Sequence, residues 1–301
     1  DDLVKTVREF GQEGVAVTDH GVMFGAVEFY DKALQAGLRP IIGCEVYVSP
    51  TDMTLRESVP GLPNSYHLIL LASSNTGYVN LMKLSSLAHT KGYYYKPRVD
   101  RAALEAHSEG LIGLSACLKG EIPYWLLRGG EAKAIDALDF YRKIFKGEFY
   151  LEIQHNGIAD QDVVNRLIVD LGARTGTGVV ATNDCHYLSP GDVEAHEVLL
   201  CIQTKKTIGD KGRMSFDSDQ LYLKPTGVME RDFAWFPEAL SLTGEIAAKC
   251  WVEIPKGRYS FPVYPVEDGR TLEEIIDEQA RSGLALRLGS QVPEHYADRL
   301  E

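Results

Sequence analysis

GVVATNDCHY (178–187) is a short β-rich run that passes directly into Asn, Asp, Cys and His. The apolar half suits a buried strand, and the polar half begins where such a strand leaves the core. The same form recurs upstream in GVAVTDH (14–20), in RPIIGCEVYV (39–48) with Glu45, and in GLIGLSACL (110–118). YHLILLA (66–72) and FYLEIQ (149–154) are further strand candidates. Between these runs lie helix-period segments at 25–37, 76–90, 131–146 and 160–175. Strands alternating with helices of that length predict βα units and a largely parallel α/β sheet. An open doubly wound sheet and a closed barrel both fit the alternation. TDH, CE, AC and NDCH each close a strand-like run, where barrel enzymes collect their functional groups, so a (β/α) barrel is expected. His67 is the exception, because it begins its run.

Working outward, residues 3–10 read as a helix, and the loop 49–65, with three prolines and no periodicity, as a surface excursion. SPGDVEAHEVLLCIQ (189–203) reads as a capped helix, and another helix falls near 238–250. The stretch 254–270 is rich in Pro, Gly and aromatics and reads as a linker. A fresh helix follows at 271–289, with capping-box spacing between Thr271 and Glu274 and a stop at Gly289. The expected division is therefore a barrel domain over 1–254, then a linker and the first helix of another domain over 255–301.

The 301 residues carry a formal net charge of −12, with 25% charged and 45% hydrophobic positions. That is ample chain for a core. The acidity argues against a free-standing module that coats nucleic acid, which needs clustered Lys and Arg. It leaves room for an acidic site that holds metal ions. No apolar run approaches the ~20 residues of a membrane span, and the opening DDLVKTVREFG is helical rather than a signal segment. Five scattered cysteines without a CxxC pair do not make a disulfide framework, so reduced thiols in a cytoplasmic setting are expected.

The chemistry gathers at the strand ends. Asp184 and His186 are two apart, so an extended chain turns both to one side. Imidazole and carboxylate together suit Zn, Mn or Fe, and several such strand ends suggest a hydrolytic metal site built from His20, Glu45, Cys117, Asp184 and His186. Each also has a plainer reading: a hydrogen-bonded structural histidine, a capping glutamate, a small buried thiol. His89, His107, His155, His196 and His295 lack partner spacing and read as surface or structural residues. YYYKPRVD (93–100) could stack bases or bind phosphate, or could be a loop packed over the barrel mouth. No GxxxxGK[ST] loop and no GxSxG elbow is present.

Five runs carry a resemblance: TDHGVMFGAVEFYDKALQAGLRPIIGCEVYVSP (18–50), YHLILLASSNTGYVNLMKLSSLAH (66–89), YYYKPRVD, GLIGLSACLKGEIP (110–123) and ATNDCHYLSPGDVEAHEVLLCIQTKKT (181–207). Together they closely resemble the polymerase-and-histidinol-phosphatase (PHP) domain of bacterial replicative DNA polymerase III alpha subunits. MSFDSDQLYLKP (214–225) and FPEALSLTGEIAAKC (236–250) resemble the segment leading out of that domain, and FPVYPVEDGRTLEEII (261–276) the lead-in to the palm. The resemblance implies a distorted (β/α)7 barrel with up to three metal ions at its mouth. It implies metal ligation by His20, Glu45, His67, Cys117, Asp184 and His186, with Asp19 as an auxiliary residue and Asp19, Asp184 and His186 carrying catalysis. The family's first strand, with an HxH pair and a nearby Asp supplying three ligands, would precede residue 1. A sheet lacking that strand, and weak hydrolysis at most by the chain as it stands, are the expectations. The polymerase aspartates and their Mg would lie beyond residue 301.

Two functions follow from the resemblance. One is a metal-dependent phosphoesterase, hydrolysing a 3′ end of DNA or pyrophosphate within a DNA-directed DNA polymerase (a nucleotidyltransferase). The other is a non-catalytic docking module for a separate proofreading exonuclease subunit. The partners implied are DNA, a sliding clamp, a clamp loader and that exonuclease subunit, with no membrane.

Overall fold

The expected alternation is present, with additions. The computed structural model describes residues 1–300 apart from 217, 258, 260, 267 and 290. In chain order the elements are α1 (Asp2–Glu9), β1 (Gly14–Val17), α2 (Ala26–Gln35), β2 (Arg39–Val48), β3 (Tyr66–Ala72), α3 (Asn75–Thr90), β4 (Arg98–Val99), α4 (Arg101–Ala106), β5 (Leu111–Leu114) and α5 (Glu121–Leu127). They continue with α6 (Glu131–Ile144), β6 (Phe149–Gln154), α7 (Ala159–Thr175), β7 (Val179–Thr182), α8 (Val193–Thr204), α9 (Thr226–Asp232), α10 (Glu238–Lys249), α11 (Leu272–Leu288) and α12 (Glu294–Ala297). Local chemistry sets many boundaries. The Ser74 hydroxyl caps α3 by accepting from Gly77 N, and Asp100 caps α4 through Ala103 N. α7 ends on Gly176 at φ 64°, the left-handed conformation that a glycine adopts without strain. The capping box of Thr271 and Glu274 opens α11. β4, α4, α5, α9 and α12 are short elements that periodicity did not predict.

The strands form one sheet in the order β1-β2-β3-β5-β6-β7, with β4 beside β2. The sheet is mixed, which corrects the expectation of a largely parallel one. β3 runs antiparallel to both neighbours, pairing Tyr47 with His67 on one side and Ile69 with Leu114 on the other. The remaining pairs are parallel. Reversal places the start of β3 at the same sheet edge as the ends of the parallel strands, and this accounts for His67 standing first in its run.

The sheet is curled. β1 and β7 lie five neighbour steps apart, about 24 Å in a flat sheet, yet the His20 and His186 rings that follow them are 6.0 Å apart between centroids. Among the described residues β1 and β7 do not pair, and β1, with Ala16 exposed, is an edge strand.

Alternation along the strands divides the core in two. Tyr66, Leu68, Leu70 and Ala72 of β3 face the helix layer, with Leu81, Leu84 and Ala88 of α3. Ile69 and Leu71 face the concave side with Ile41, Ile112, Leu114, Tyr150 and Val180, and α10 closes that layer with Ile246. Followed towards the mouth, each inward-facing series turns polar: Ile41 to Glu45, Leu71 and Ile69 to His67, Tyr150 to Glu152 and Gln154. An apolar floor therefore carries a polar rim.

The chain divides into two compact units, Asp1–Ile254 and Pro255–Glu301. The second contains α11 and α12. Positions 258, 260 and 267 of the linker-like run lie outside the described residues. No described helix is long and apolar enough to cross a membrane.

Candidate metal centre

Glu45 is the middle of the cluster. Parallel pairing of β1 with β2 continues past the strand proper, since Glu45 N donates to Asp19 O (3.1 Å) and Gly21 N to Glu45 O (2.9 Å). That register sets His20 beside Glu45. His67 stands diagonally across the antiparallel pair on the same face as Glu45 and Tyr47, and its N–H is held by Lys119 O at 2.9 Å. The ligand atoms of His20, Glu45 and His67 all lie within 4.8 Å of one another. Cys117 Sγ is 3.9 Å from His67 Nδ1. From the far side of the curled sheet, His186 presents its ring with Nδ1 bound to Asp184 O at 2.7 Å, which leaves Nε2 free for the cluster. Asp184 Oδ1 lies 3.8 Å from His186 Nδ1.

The electrostatics follow from placing carboxylates and imidazoles together out of water. Burial pushes the Glu45 carboxyl up, but the facing His20 and His67 outweigh it and bring it down to about 2. The Glu45 contact raises His20 above its ordinary value. Burial and then the Glu45 charge raise Asp184. Burial, with Asp184 and Glu45 adding to it, holds the Cys117 thiol well above its usual range.

A divalent cation fits this donor set on the geometry itself. Glu45 Oε1 is buried, lies 3.3 Å from His20 Nε2 and close to His67 Nδ1, and has no partner in hydrogen-bond alignment. An acceptor oxygen facing two imidazole nitrogens without an aligned proton is satisfied when all three point at one cation. His, carboxylate and thiol together suit Zn, Mn or Fe.

Of the residues singled out from sequence, the structure brings together His20, Glu45, His67, Cys117, Asp184 and His186. It sets Asp19 apart: its carboxylate is exposed, beside Gly25 at the start of α2, and the backbone carbonyl is what reaches the cluster's strand. His196, read as surface or structural, packs its ring 5.3 Å from that of His186. His89 is tied to Gly21 O at 3.0 Å. Of the two readings of the tyrosine run, the packed loop is the one the geometry supports. Arg98 is 2% exposed, and its guanidinium donates to the carbonyls of Gly92, Asn64, Met53 and Leu55, so it anchors the 49–65 loop. Tyr93 and Tyr95 project into solvent beside it, and Lys96 Nζ lies 5.5 Å from the centre of the Tyr47 ring.

Sequence reasoning passed over Glu152. It is 3% exposed on the inward face of β6, and burial pushes its carboxyl up to about 7. The one trace in the sequence is that Glu152 and Gln154 alternate with Leu151 and Ile153 in this strand, which does not by itself say which face is inward.

A curled α/β half-barrel with imidazole, carboxylate and thiol groups converging at its mouth defines a fold that carries a candidate metal centre. The PHP domain family matches residues 1–156, and the chain belongs to that family. Its curated relatives include the DNA polymerase III subunit alpha of Thermus aquaticus, 41% identical over 98% of this chain and 25% of the relative. That of Treponema pallidum is 43% identical over 88% of this chain and 23% of the relative. The chain thus spans about a quarter of the length of these proteins. Among solved structures, a Bifidobacterium adolescentis protein assigned as a metal-dependent phosphoesterase aligns at TM-score 0.36 and 12% identity, over 81% of this chain and 92% of that one. That likeness is too slight to carry an argument.

Proposed function

We propose that the chain is the PHP region of a bacterial replicative polymerase alpha subunit and that its mouth is a metal-dependent phosphoesterase centre. The observation that carries the reading is Glu45, whose buried oxygen stands between His20 and His67 without an aligned hydrogen bond. His20, Glu45, His67, Cys117, Asp184 and His186 would be the cation ligands of this chain, with Zn, Mn and Fe as the candidates. Bound cations supply Lewis acidity to a phosphoester oxygen and to water. The chain's own part is positional. His186, its Nδ1 engaged by Asp184 O, is fixed in one orientation and offers Nε2. Asp184 and Glu45 bring negative charge to opposite sides of the mouth. Lys119, whose carbonyl accepts the His67 N–H, adds a cationic residue to the segment beside the mouth.

The substrate proposed is a 3′ end of DNA or pyrophosphate, within a DNA-directed DNA polymerase that acts in the cytoplasm with its clamp, clamp loader and exonuclease partners. The relatives' shared name supports that setting. Elemental analysis of the purified chain, with cleavage assays on a 3′-labelled oligonucleotide and on pyrophosphate, tests it. Bound transition metal is expected, with at most weak metal-dependent cleavage by this chain, and Asp184→Asn should abolish whatever cleavage there is. Failure to take up any cation would replace this reading with the docking module.

A further inference from the structure

We infer that Glu152 is a positioning residue of the centre, its carboxylate gripping from below the two turns that carry Cys117 and Asp184. The inference rests on reading the mouth as a metal centre. Glu152 belongs to the central strand of the three that meet here. Its Oε2 accepts the Ala116 N–H at 3.0 Å, its Oε1 accepts Gln154 Nε2 at 2.9 Å and the Thr182 hydroxyl, and its own N–H donates to Ser115 Oγ at 2.8 Å. One side chain thus ties β6 to the end of β5 on one side and the end of β7 on the other.

Both ends depart from ordinary backbone. Ala116 has φ 60° and Asp184 φ 50°, left-handed conformations that residues with a Cβ rarely adopt. Such conformations persist only where the surroundings over-determine them. At Ala116 the buried carboxylate on its N–H does this, and the residue that follows is Cys117. At Asp184 the grip is applied two residues earlier, through Thr182. Apolar inward residues would have filled this space, as Tyr150 and Leu114 do one layer below. An uncompensated buried carboxylate is costly, and three donors from three strands compensate this one. Geometry alone assigns the role. Residues that orient metal ligands in this way change cation affinity by roughly 10- to 100-fold when replaced.

Glu152→Gln keeps the shape but turns an amide N–H₂ towards either Ala116 N–H or the Thr182 and Gln154 donors. The test uses the whole chain loaded with cobalt(II), whose near-ultraviolet thiolate charge-transfer band reports Cys117 ligation directly. The expected result is a cobalt affinity at least roughly 10-fold weaker and a lost or shifted thiolate band, in a protein whose circular dichroism is unchanged. A folded Glu152→Gln protein with unaltered band and affinity overturns the inference. Should that variant not fold, Thr182→Val decides. It leaves the Ala116 contact in place, so a retained thiolate band with weakened cobalt affinity is expected, and unchanged affinity overturns the inference. If the unaltered chain takes up no cobalt, the metal reading itself falls; if it binds cobalt through Cys117 and the variants match it, only the role of Glu152 falls.

Discussion

Glu45 and Glu152 are both nearly excluded from water, yet neighbours drive them in opposite directions. The two imidazoles bring Glu45 down to about 2, from an ordinary value of 4.5. In the metal-free protein its contribution to stability is therefore full above about pH 4.5 and is lost as pH falls towards 2. Urea denaturation across that window should show a loss of up to about 3 kcal/mol, and Glu45→Gln should remove that slope. Glu152, raised from 4.5 to about 7, has the reverse sign. The folded state holds its proton more tightly than the unfolded state, so stability is greatest below about 4.5 and declines as pH rises through 7. Glu152→Gln should flatten the curve in that upper window while leaving the acid limb intact. His20 was legible from its strand end and Glu45 from its run. Glu152 was not, because a single Glu between Leu151 and Ile153 reads as ordinary strand until the fold shows which face is inward.

Direction of pairing is a property of the element, and it governs which side chains meet. A parallel β3 would carry His67 to the floor; the antiparallel strand carries it to the rim, across from Tyr47. The turn after β5 is as closely determined. A Cβ placed on Gly120 would lie 2.0 Å from Ser115 O and 3.1 Å from Cys117 O, although φ −63° is open to any residue. Gly120→Ala must therefore shift the segment that presents Cys117. It should cost roughly 1–3 kcal/mol in thermal melts and weaken cation binding in calorimetry, and an unchanged affinity would show that this turn has slack. The strands at 66–72 and 149–154 were readable to the residue, since long apolar runs state their own limits. β4 and α5 were not, because two to seven residues carry too little periodicity to distinguish them from loop.

At the scale of the molecule, an inner apolar layer with α10 on its floor supports the polar rim, and a second layer joins the sheet to its outer helices. Leu70 has no exposed surface in the outer layer, so Leu70→Ala should destabilise the chain by roughly 2–5 kcal/mol in chemical denaturation without changing which cation it selects. The compact unit Asp1–Ile254 holds all six clustered side chains. A chain ended at Ile254 should keep the melting temperature and cation stoichiometry of the longer one and lose only the helical circular dichroism of α11 and α12. A collapse on truncation would show that the unit from Pro255 onward contributes to the fold of the first.

By itself the sequence determined the alternation of strands and helices, the polar strand ends and the resemblance carried by long runs such as 18–50 and 181–207. These are local properties, set by side-chain period and by where the chain leaves the core. Tertiary structure alone decided that β3 is reversed, that the sheet curls until His186 meets His20, and that Glu152 bonds to the turns leading to Cys117 and Asp184. The physical reason is that strand direction and curl come from hydrogen bonds and burial between segments far apart in the chain, and no window of sequence contains both partners.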